Sequence, residues 1–259
     1  MHTVAIFGCP RSGTSWLGQL FNAHEAVLYR YQPLFAYEFK DWFGRRGLTE
    51  RTLGDFHSAL IDARSDFVLT ELRPPKIAAP THLVWKEVRF HKLMAPLMDL
   101  HGLDRLLYLY RRPEDVLNSW YQAPKEFRAG QDIFVEYLHA PSKNIDASEF
   151  NGFAKWKESL QLALAMHQRY PDRVRLISYE RLCDEPLAQL ERLFDATDLA
   201  LTPQVRDFVE QSTSRQDEDA YSVFKTERTP MRLPAAIADE VAHDPEALAL
   251  LAKADSLAV

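Results

Sequence analysis

Apolar and polar positions along this chain follow two alternating rhythms. Short, mostly apolar runs predict buried strands at Thr3–Phe7 (TVAIF), His82–Val88 (HLVWKEV), Arg105–Tyr110 (RLLYLY) and Arg173–Ser178 (RVRLIS). Ala26–Tyr29 adds a shorter candidate strand. Between these runs, apolar residues recur three and four apart, the spacing of one helix face. Thr14–Ala23 carries Trp16, Leu17, Leu20 and Phe21 in this way, and His91–Leu100 carries Leu93, Leu97 and Leu100. Helices are also predicted over Leu34–Phe43, Glu50–Arg64, Glu149–Tyr170, Glu185–Phe194 and Pro203–Gln211. One more opens at Pro113, whose fixed φ suits a first helical position.

Strands that alternate with helices, and are apolar throughout, predict an α/β fold. The expected core is a central parallel sheet of about four to five strands with helices on both faces. Sites in such sheets lie beyond the carboxyl ends of the strands. Four such ends should therefore converge: Gly8–Gly13, Lys86–His91, Arg111–Pro113 and Tyr179–Glu180. Two stretches, 123–148 and 212–234, are poor in regular signals and carry basic and aromatic residues, which makes them candidate lids. The 259 residues read as one domain, without repeats or low-complexity segments.

The first strand runs into GCPRSGTS, Gly8–Ser15. A glycine loop between a strand and a helix turns its backbone N–H groups toward one spot. The helix N-terminus adds partial positive charge there, so the loop suits a phosphate or sulfate. The spacing is almost that of the phosphate-binding P-loop, G-x-x-x-x-G-K-S/T, but Thr14 stands where the lysine belongs. No convincing strand ends in a metal-binding aspartate, and the nine histidines show no metal-ligand spacing. The positive charge has moved to Arg11, inside the loop. The expected ligand is a nucleotide with less terminal charge than ATP, handled without a metal. A second stretch, LYLYRRPEDVLNSWY, sets Arg111 at a strand end and Ser119 about two turns into the next helix. An arginine plus a hydroxyl suits a phosphate monoester.

Bulk composition narrows the partners. The chain is 46% hydrophobic and 26% charged, enough for a full core. A net charge of −6 argues against nucleic acid and against a highly anionic polymer. Two cysteines, Cys9 and Cys183, make no disulfide framework. No apolar run is long enough to span a bilayer, and the strand expected at the N-terminus would leave no room for a signal peptide unless the chain is part of something longer. A cytoplasmic location is expected. Oligomeric state is not legible.

Loop and clamp together resemble the PAPS-dependent sulfotransferases, PAPS being 3'-phosphoadenosine 5'-phosphosulfate. Pro10–Leu17 (PRSGTSWL) matches the family's 5'-phosphosulfate loop, P-K/R-S/T-G-S/T-S/T-x-L, at every position. Arg111, Pro113 and Ser119 match its 3'-phosphate motif, R-D/N-P-x-x-x-x-x-S, from which Arg112 departs. The stretches from Pro10 (PRSGTSWLGQLFNAHEAVLYRYQPL) and Trp85 (WKEVRFHKLMAPLMDLHGLDRLLYLYRRP) are similar to the carbohydrate 6-O-sulfotransferases, and ISYERLCDEPLAQLERLFDATDL from Ile177 is similar to the family's Y-E-D-L segment. The match covers roughly residues 3–200.

The resemblance implies a P-loop NTPase-like sulfotransferase fold. It also implies metal-free, in-line transfer of a sulfuryl group from PAPS to a hydroxyl or amine, with PAP as product. Backbone N–H groups of Ser12, Gly13, Thr14 and Ser15, with the Thr14 and Ser15 hydroxyls, would hold the 5'-phosphate. Arg11 would stabilise charge on the leaving oxygen. Trp16 and Tyr179 match aromatics near the adenine, although Trp16 equally fits core packing. Arg111 and Ser119 would clamp the 3'-phosphate, and Lys86 matches a family lysine at the transfer site. Lys225 and Arg228 could close on the 3'-phosphate or form a solvated basic face.

The proton acceptor is not legible. Several relatives carry a glutamate after the first helix, where this chain has Gln32 in YRYQPL, and a glutamine cannot take a proton. His91 and Glu38 are the candidate bases, with Glu87 behind them because strand alternation sets it opposite Lys86. The acceptor also stays open among a sugar, a lipid or another small molecule. Aromatic residues near Tyr29–Phe43 and in 123–148 favour an apolar or ring-bearing one. Two rival readings remain: a small-molecule P-loop kinase, which wants the missing lysine and aspartate, and a nucleotide-binding module without catalysis, which Gln32 favours and Arg11 with Lys86 disfavours.

Overall fold

The computed structural model describes residues 1–224 and 229–259. Five strands form one sheet: β1 (His2–Phe7), β2 (Val27–Tyr31), β3 (His82–Glu87), β4 (Arg105–Tyr110) and β5 (Val174–Ser178). Their order is β2-β3-β1-β4-β5, and every pairing is parallel. All five carboxyl ends therefore lie along one edge. The chain leaves β1, crosses outward to β2, returns through β3 and then continues on the far side of β1. That reversal is the switch point at which such sheets open a crevice.

Alternation along each strand supplies two faces, and each face has its own core. Val4, Ile6, Val84, Leu107, Leu109 and Ile177 point to one side. They are covered by α1 (Thr14–Asn22) through Leu17, Leu20 and Phe21, and by the helices Pro186–Asp195 and Pro203–Ser214. Ala5, Phe7, Trp85, Tyr108 and Leu176 point to the other side. Helices Glu50–Ile61 and Phe153–Arg169 cover that face, with two C-terminal helices, Ala235–Ala242 and Pro245–Leu257. Burying each large apolar side chain contributes roughly 1.5–3 kcal/mol.

Polar residues inside this framework have structural reasons. Arg30 on β2 is buried and donates to the carbonyls of Leu60 (2.5 Å) and Ile61 (3.0 Å), closing the end of helix Glu50–Ile61. That helix starts from a capping box between Thr49 and Thr52.

Several expected boundaries shift. Ala26–Tyr29 becomes Val27–Tyr31, a full edge strand. The helix expected over Leu34–Phe43 is two 3₁₀ turns, Pro33–Phe35 and Tyr37–Phe39, then a short helix, Trp42–Arg46. Extended Ala36 and left-handed Asp41 (φ 54°) interrupt the run. His91–Leu93 is likewise 3₁₀ before the helix Met94–Asp99. The long helix begins at Phe153 rather than Glu149, because Gly152 holds φ 82°. Segment 123–148 contains one short helix, Ile133–Glu136.

Candidate functional site

The loop after β1 is built on two glycines that accept no side chain. A Cβ on Gly8 would lie 2.4 Å from the Leu109 carbonyl oxygen. A Cβ on Gly13 would lie 2.4 Å from the Tyr179 ring, and Gly13 also holds φ 93°. The loop is thus pressed between β4 and the start of helix Tyr179–Asp184, and α1 begins directly after it. Ser12 and Thr14 are buried, while Ser15 and Trp16 are half-buried. The Ser12 hydroxyl is buried without a hydrogen-bond partner among the described residues.

Three of the four strand ends meet directly on this loop. Arg11, itself left-handed at φ 71°, donates from Nε to the Ser119 hydroxyl at 3.1 Å. Arg111 donates from Nη1 to the Arg11 carbonyl at 3.3 Å, and its guanidinium lies over the Tyr179 ring at 4.5 Å. Arg111 is buried, and its Nε has no partner among the described residues. A buried guanidinium with an unpaired donor is costly unless an anion meets it. Burial raises the Tyr179 hydroxyl pKa, so it stays protonated. Trp16 packs edge-on against Tyr179 and donates from its indole to the Ser212 hydroxyl at 3.0 Å. It covers the core and borders the site at once.

The fourth end, after β3, lies on the same side of the molecule. Lys86 is buried, with its ammonium 4.2 Å from the centroid of the Tyr31 ring. Burial pushes its pKa down, while Tyr31, Glu87 and Glu126 hold it up. The backbone of Gln32 is tied to this strand, its N–H donating to the Lys86 carbonyl at 2.8 Å. Gln32 is left-handed at φ 41°. Beyond it, Phe35 and Phe67 pack ring to ring and are each a little under half exposed, with Tyr31 against Phe67 and the Arg89 guanidinium over Phe35.

The candidate bases are placed differently from one another. His91 is fully buried behind the loop, stacked on Phe150 and bonded through Nδ1 to the Ser159 hydroxyl at 2.5 Å. Burial pushes its pKa down to about 3, so it is a neutral core residue, and the structure does not bring it to the cleft. Glu38 is exposed on the Tyr37–Phe39 turn, and no contact ties it to Arg11 or Lys86. Glu87 is fully buried on the opposite face from Lys86, and its Oε1 accepts from the Leu34 N–H at 2.7 Å. Burial pushes its pKa up to about 8. Lys225 and Arg228 lie outside the described residues.

Both irregular stretches reach Arg11. From 123–148, Glu126 Oε1 lies 3.5 Å from Arg11 Nη1. From 212–234, the Ala220 carbonyl accepts from Arg11 Nη2 at 2.9 Å, and the Tyr221 hydroxyl accepts from the Lys125 N–H at 2.7 Å. Asn118, beside Ser119, pins the second stretch further along, accepting from the Arg232 N–H at 2.8 Å. Sequence reasoning missed Glu126, Tyr221 and Asn118. The only signal was negative, the lack of periodicity in both stretches. Among the described residues, no group of three or more His, Cys, Asp or Glu is placed to hold a metal ion, and no helix is long and apolar enough to cross a membrane.

Comparison with known proteins agrees with this geometry. Residues 3–203 match the model of a sulfotransferase family. Carbohydrate sulfotransferase 5 of Mus musculus is 31% identical over 86% of this chain and 71% of its own length. Carbohydrate sulfotransferase 6 of Homo sapiens is 26% identical over the same shares, and carbohydrate sulfotransferase 3 of Mus musculus is 28% identical over 86% of this chain and 60% of its own. Among solved structures, mouse sulfotransferase SULT7A1 complexed with PAP superposes with a TM-score of 0.57 at 11% identity, covering 98% of this chain and 89% of that one. The sulfotransferase domain of the Synechococcus PCC 7002 olefin synthase gives 0.54 at 15% identity, covering 99% and 94%. At such identities the structural likeness speaks for the fold.

Proposed function

Since the chain belongs to the sulfotransferase family, we propose that it takes the sulfuryl group from PAPS and delivers it to a hydroxyl of a sugar or another small molecule. The observation that carries the PAPS assignment is the pair of orphaned polar groups, Arg111 Nε and Ser12 Oγ, buried around a loop whose Gly13 leaves no room for a side chain. Such groups are stable in the fold when an anion completes their hydrogen bonds.

In this reading the backbone N–H groups from Ser12 to Ser15 and the start of α1 hold the 5'-phosphate, with the Thr14 and Ser15 hydroxyls. Arg111 and Ser119 hold the 3'-phosphate, and Trp16 with Tyr179 flanks the adenine. Arg11 leaves its present partners and turns toward the bridging oxygen, where negative charge grows as the sulfur–oxygen bond breaks. Lys86 supports the same charge from the β3 side. Its low-dielectric surroundings strengthen that interaction. Phe35 and Phe67 offer an apolar, ring-stacking wall to the acceptor.

The test is nucleotide binding followed by transfer. Adenosine 3',5'-bisphosphate near a hundred times its dissociation constant should raise the melting temperature by about 5 °C, and ATP with Mg²⁺ should not. Arg11→Ala should cut transfer from ³⁵S-labelled PAPS by about 100-fold or more across a panel of sugars, phenols, steroids and lipids. Stabilisation by ATP with Mg²⁺ in place of the bisphosphate would overturn the reading in favour of a kinase.

A further inference from the structure

A hydroxyl that attacks sulfur must lose its proton, and of the candidates named from the sequence His91 and Glu87 are not placed to take it. Gln32 has no basic atom. His91 is sealed behind the loop, and Glu87 is sealed on the far face of β3 with an oxygen committed to the Leu34 N–H. Glu38 is exposed and unconnected to either transfer-site cation.

Glu126 meets the requirement. Its Oε1 lies 3.5 Å from Arg11 Nη1, and its charge also acts on Lys86. Glu126 therefore sits against the loop's arginine, and near enough to Lys86 for its charge to be felt there. Its side chain keeps 27% of its surface exposed, so an acceptor can reach it. Its backbone is fixed. The Ala123 carbonyl accepts from the N–H groups of Glu126 and Phe127, both at 2.8 Å. Phe127 is buried edge-on against Trp120 and Tyr121. The carboxylate is thus held by a packed turn rather than by a free loop, which is what a positioned base requires. Its other neighbours that carry or can take charge are Lys125, whose ammonium lies over the Tyr221 ring at 4.8 Å, and the neutral Tyr221 hydroxyl, whose pKa burial raises and on which Glu126, Arg11 and Asp219 act.

Resting on the sulfotransferase reading, we propose that Glu126 is the proton acceptor of the reaction. The acceptor oxygen forms its bond to sulfur as the bond from sulfur to the bridging oxygen breaks. The electron pair of that bond leaves with PAP, which Arg11 and Lys86 stabilise. The hydroxyl proton passes to the Glu126 carboxylate and from there to water. The same geometry gives the carboxylate a second task before turnover. It holds Arg11 together with Ser119 and the Ala220 carbonyl until the phosphosulfate draws the guanidinium away.

The test compares wild type, Glu126→Gln, Glu126→Asp and Arg11→Ala. PAP release from PAPS is measured with methyl glucoside, with 4-nitrophenol and with water alone as acceptor, and PAP binding is measured by calorimetry. A base matters for a sugar hydroxyl or water and little for a phenol that ionises by itself. Glu126→Gln should lose about 100-fold with methyl glucoside or water and less than about fivefold with 4-nitrophenol, while PAP binding is kept or tightened. Glu126→Asp should recover part of the loss. If wild type uses neither organic acceptor, the water rate decides alone. Equal losses with every acceptor, together with weaker PAP binding, would reduce Glu126 to a support for Arg11 and overturn the proposal. So would rates within threefold of wild type. Wild type that neither binds PAP nor releases it faster than Arg11→Ala would overturn the sulfotransferase reading itself, and this proposal with it.

Discussion

The two halves of the cleft are made differently. On the β1–β4–β5 side, backbone geometry does the shaping. Gly8 and Gly13 admit no Cβ, Arg11 is held left-handed, and Arg111, Ser119 and Tyr179 interlock around the loop. On the β2–β3 side, short 3₁₀ turns present side chains, with Phe35 nearly half exposed and Tyr37 almost wholly in solvent. The first half is a fixed mould with buried unpaired donors, which the proposed function fills with the two phosphates and the adenine of the nucleotide. The second is a surface whose shape depends on which side chains it carries. A family can keep the first and exchange the second, since loops on a rigid scaffold tolerate variation.

The sharpest way to break this comparison is to put a methyl group into the mould and, as a control, at a positive-φ glycine away from the cleft. Gly13 and Gly47 both have positive φ, 93° and 71°. A Cβ at Gly13 strikes the Tyr179 ring at 2.4 Å, whereas at Gly47 it meets nothing within 4 Å. Gly13→Ala should weaken PAP binding by about 100-fold, because backbone strain and a clash add at the anion site. Gly47→Ala carries the strain alone and should leave PAP binding within about twofold. Calorimetry with PAP on both variants reads the difference. Equal effects would mean that the mould is less rigid than its contacts.

A smaller effect is expected from the aromatic wall. Phe35→Ala with Phe67→Ala should raise the acceptor KM by about fivefold and leave PAP affinity unchanged, since only uniform acceptor binding is removed. Steady-state kinetics with PAPS held saturating separates the two. A matching loss in PAP affinity would show the halves to be coupled.

The same contrast explains what was legible in the sequence. Strands such as RLLYLY and the loop PRSGTSWL could be read because burial and backbone constraint leave few alternatives at those positions. That Arg111 ends a strand and Ser119 lies in the next helix could be read from the sequence, though not the way Arg11 lies between them. His91 misled because its apolar shell, Phe7, Tyr108 and Phe150, is assembled from three distant stretches. Glu126 was invisible for a related reason. It reaches Arg11 across 115 residues from a segment with no period, and nothing local marks a carboxylate that will meet a cation there.

The subtlest prediction concerns the joint between the halves. Glu87 ends β3 with a buried carboxyl whose Oε1 accepts from the Leu34 N–H, tying the aromatic turn to the sheet. Its Oε2 has no partner among the described residues, so ionisation inside the fold is unfavourable and the pKa rises from 4.5 to about 8. Between those values the unfolded chain has released this proton while the folded chain keeps it. The folded state then binds more protons, so stability falls as pH rises from 4.5 to 8 and levels off above. His57 and His91, buried and neutral with pKa values near 4 and 3, act in the opposite sense and only below about 6.5. The window from pH 6.5 to 8 therefore isolates Glu87 from both histidines. Glu87→Gln keeps an oxygen for Leu34 and has no proton to lose. Over that window wild type should lose about 3 °C in melting temperature relative to Glu87→Gln, as read by calorimetric scans at matched ionic strength. Parallel curves would mean that Glu87 ionises freely in the fold, and that the acceptor side is anchored by Gln32 and the Lys86 carbonyl instead.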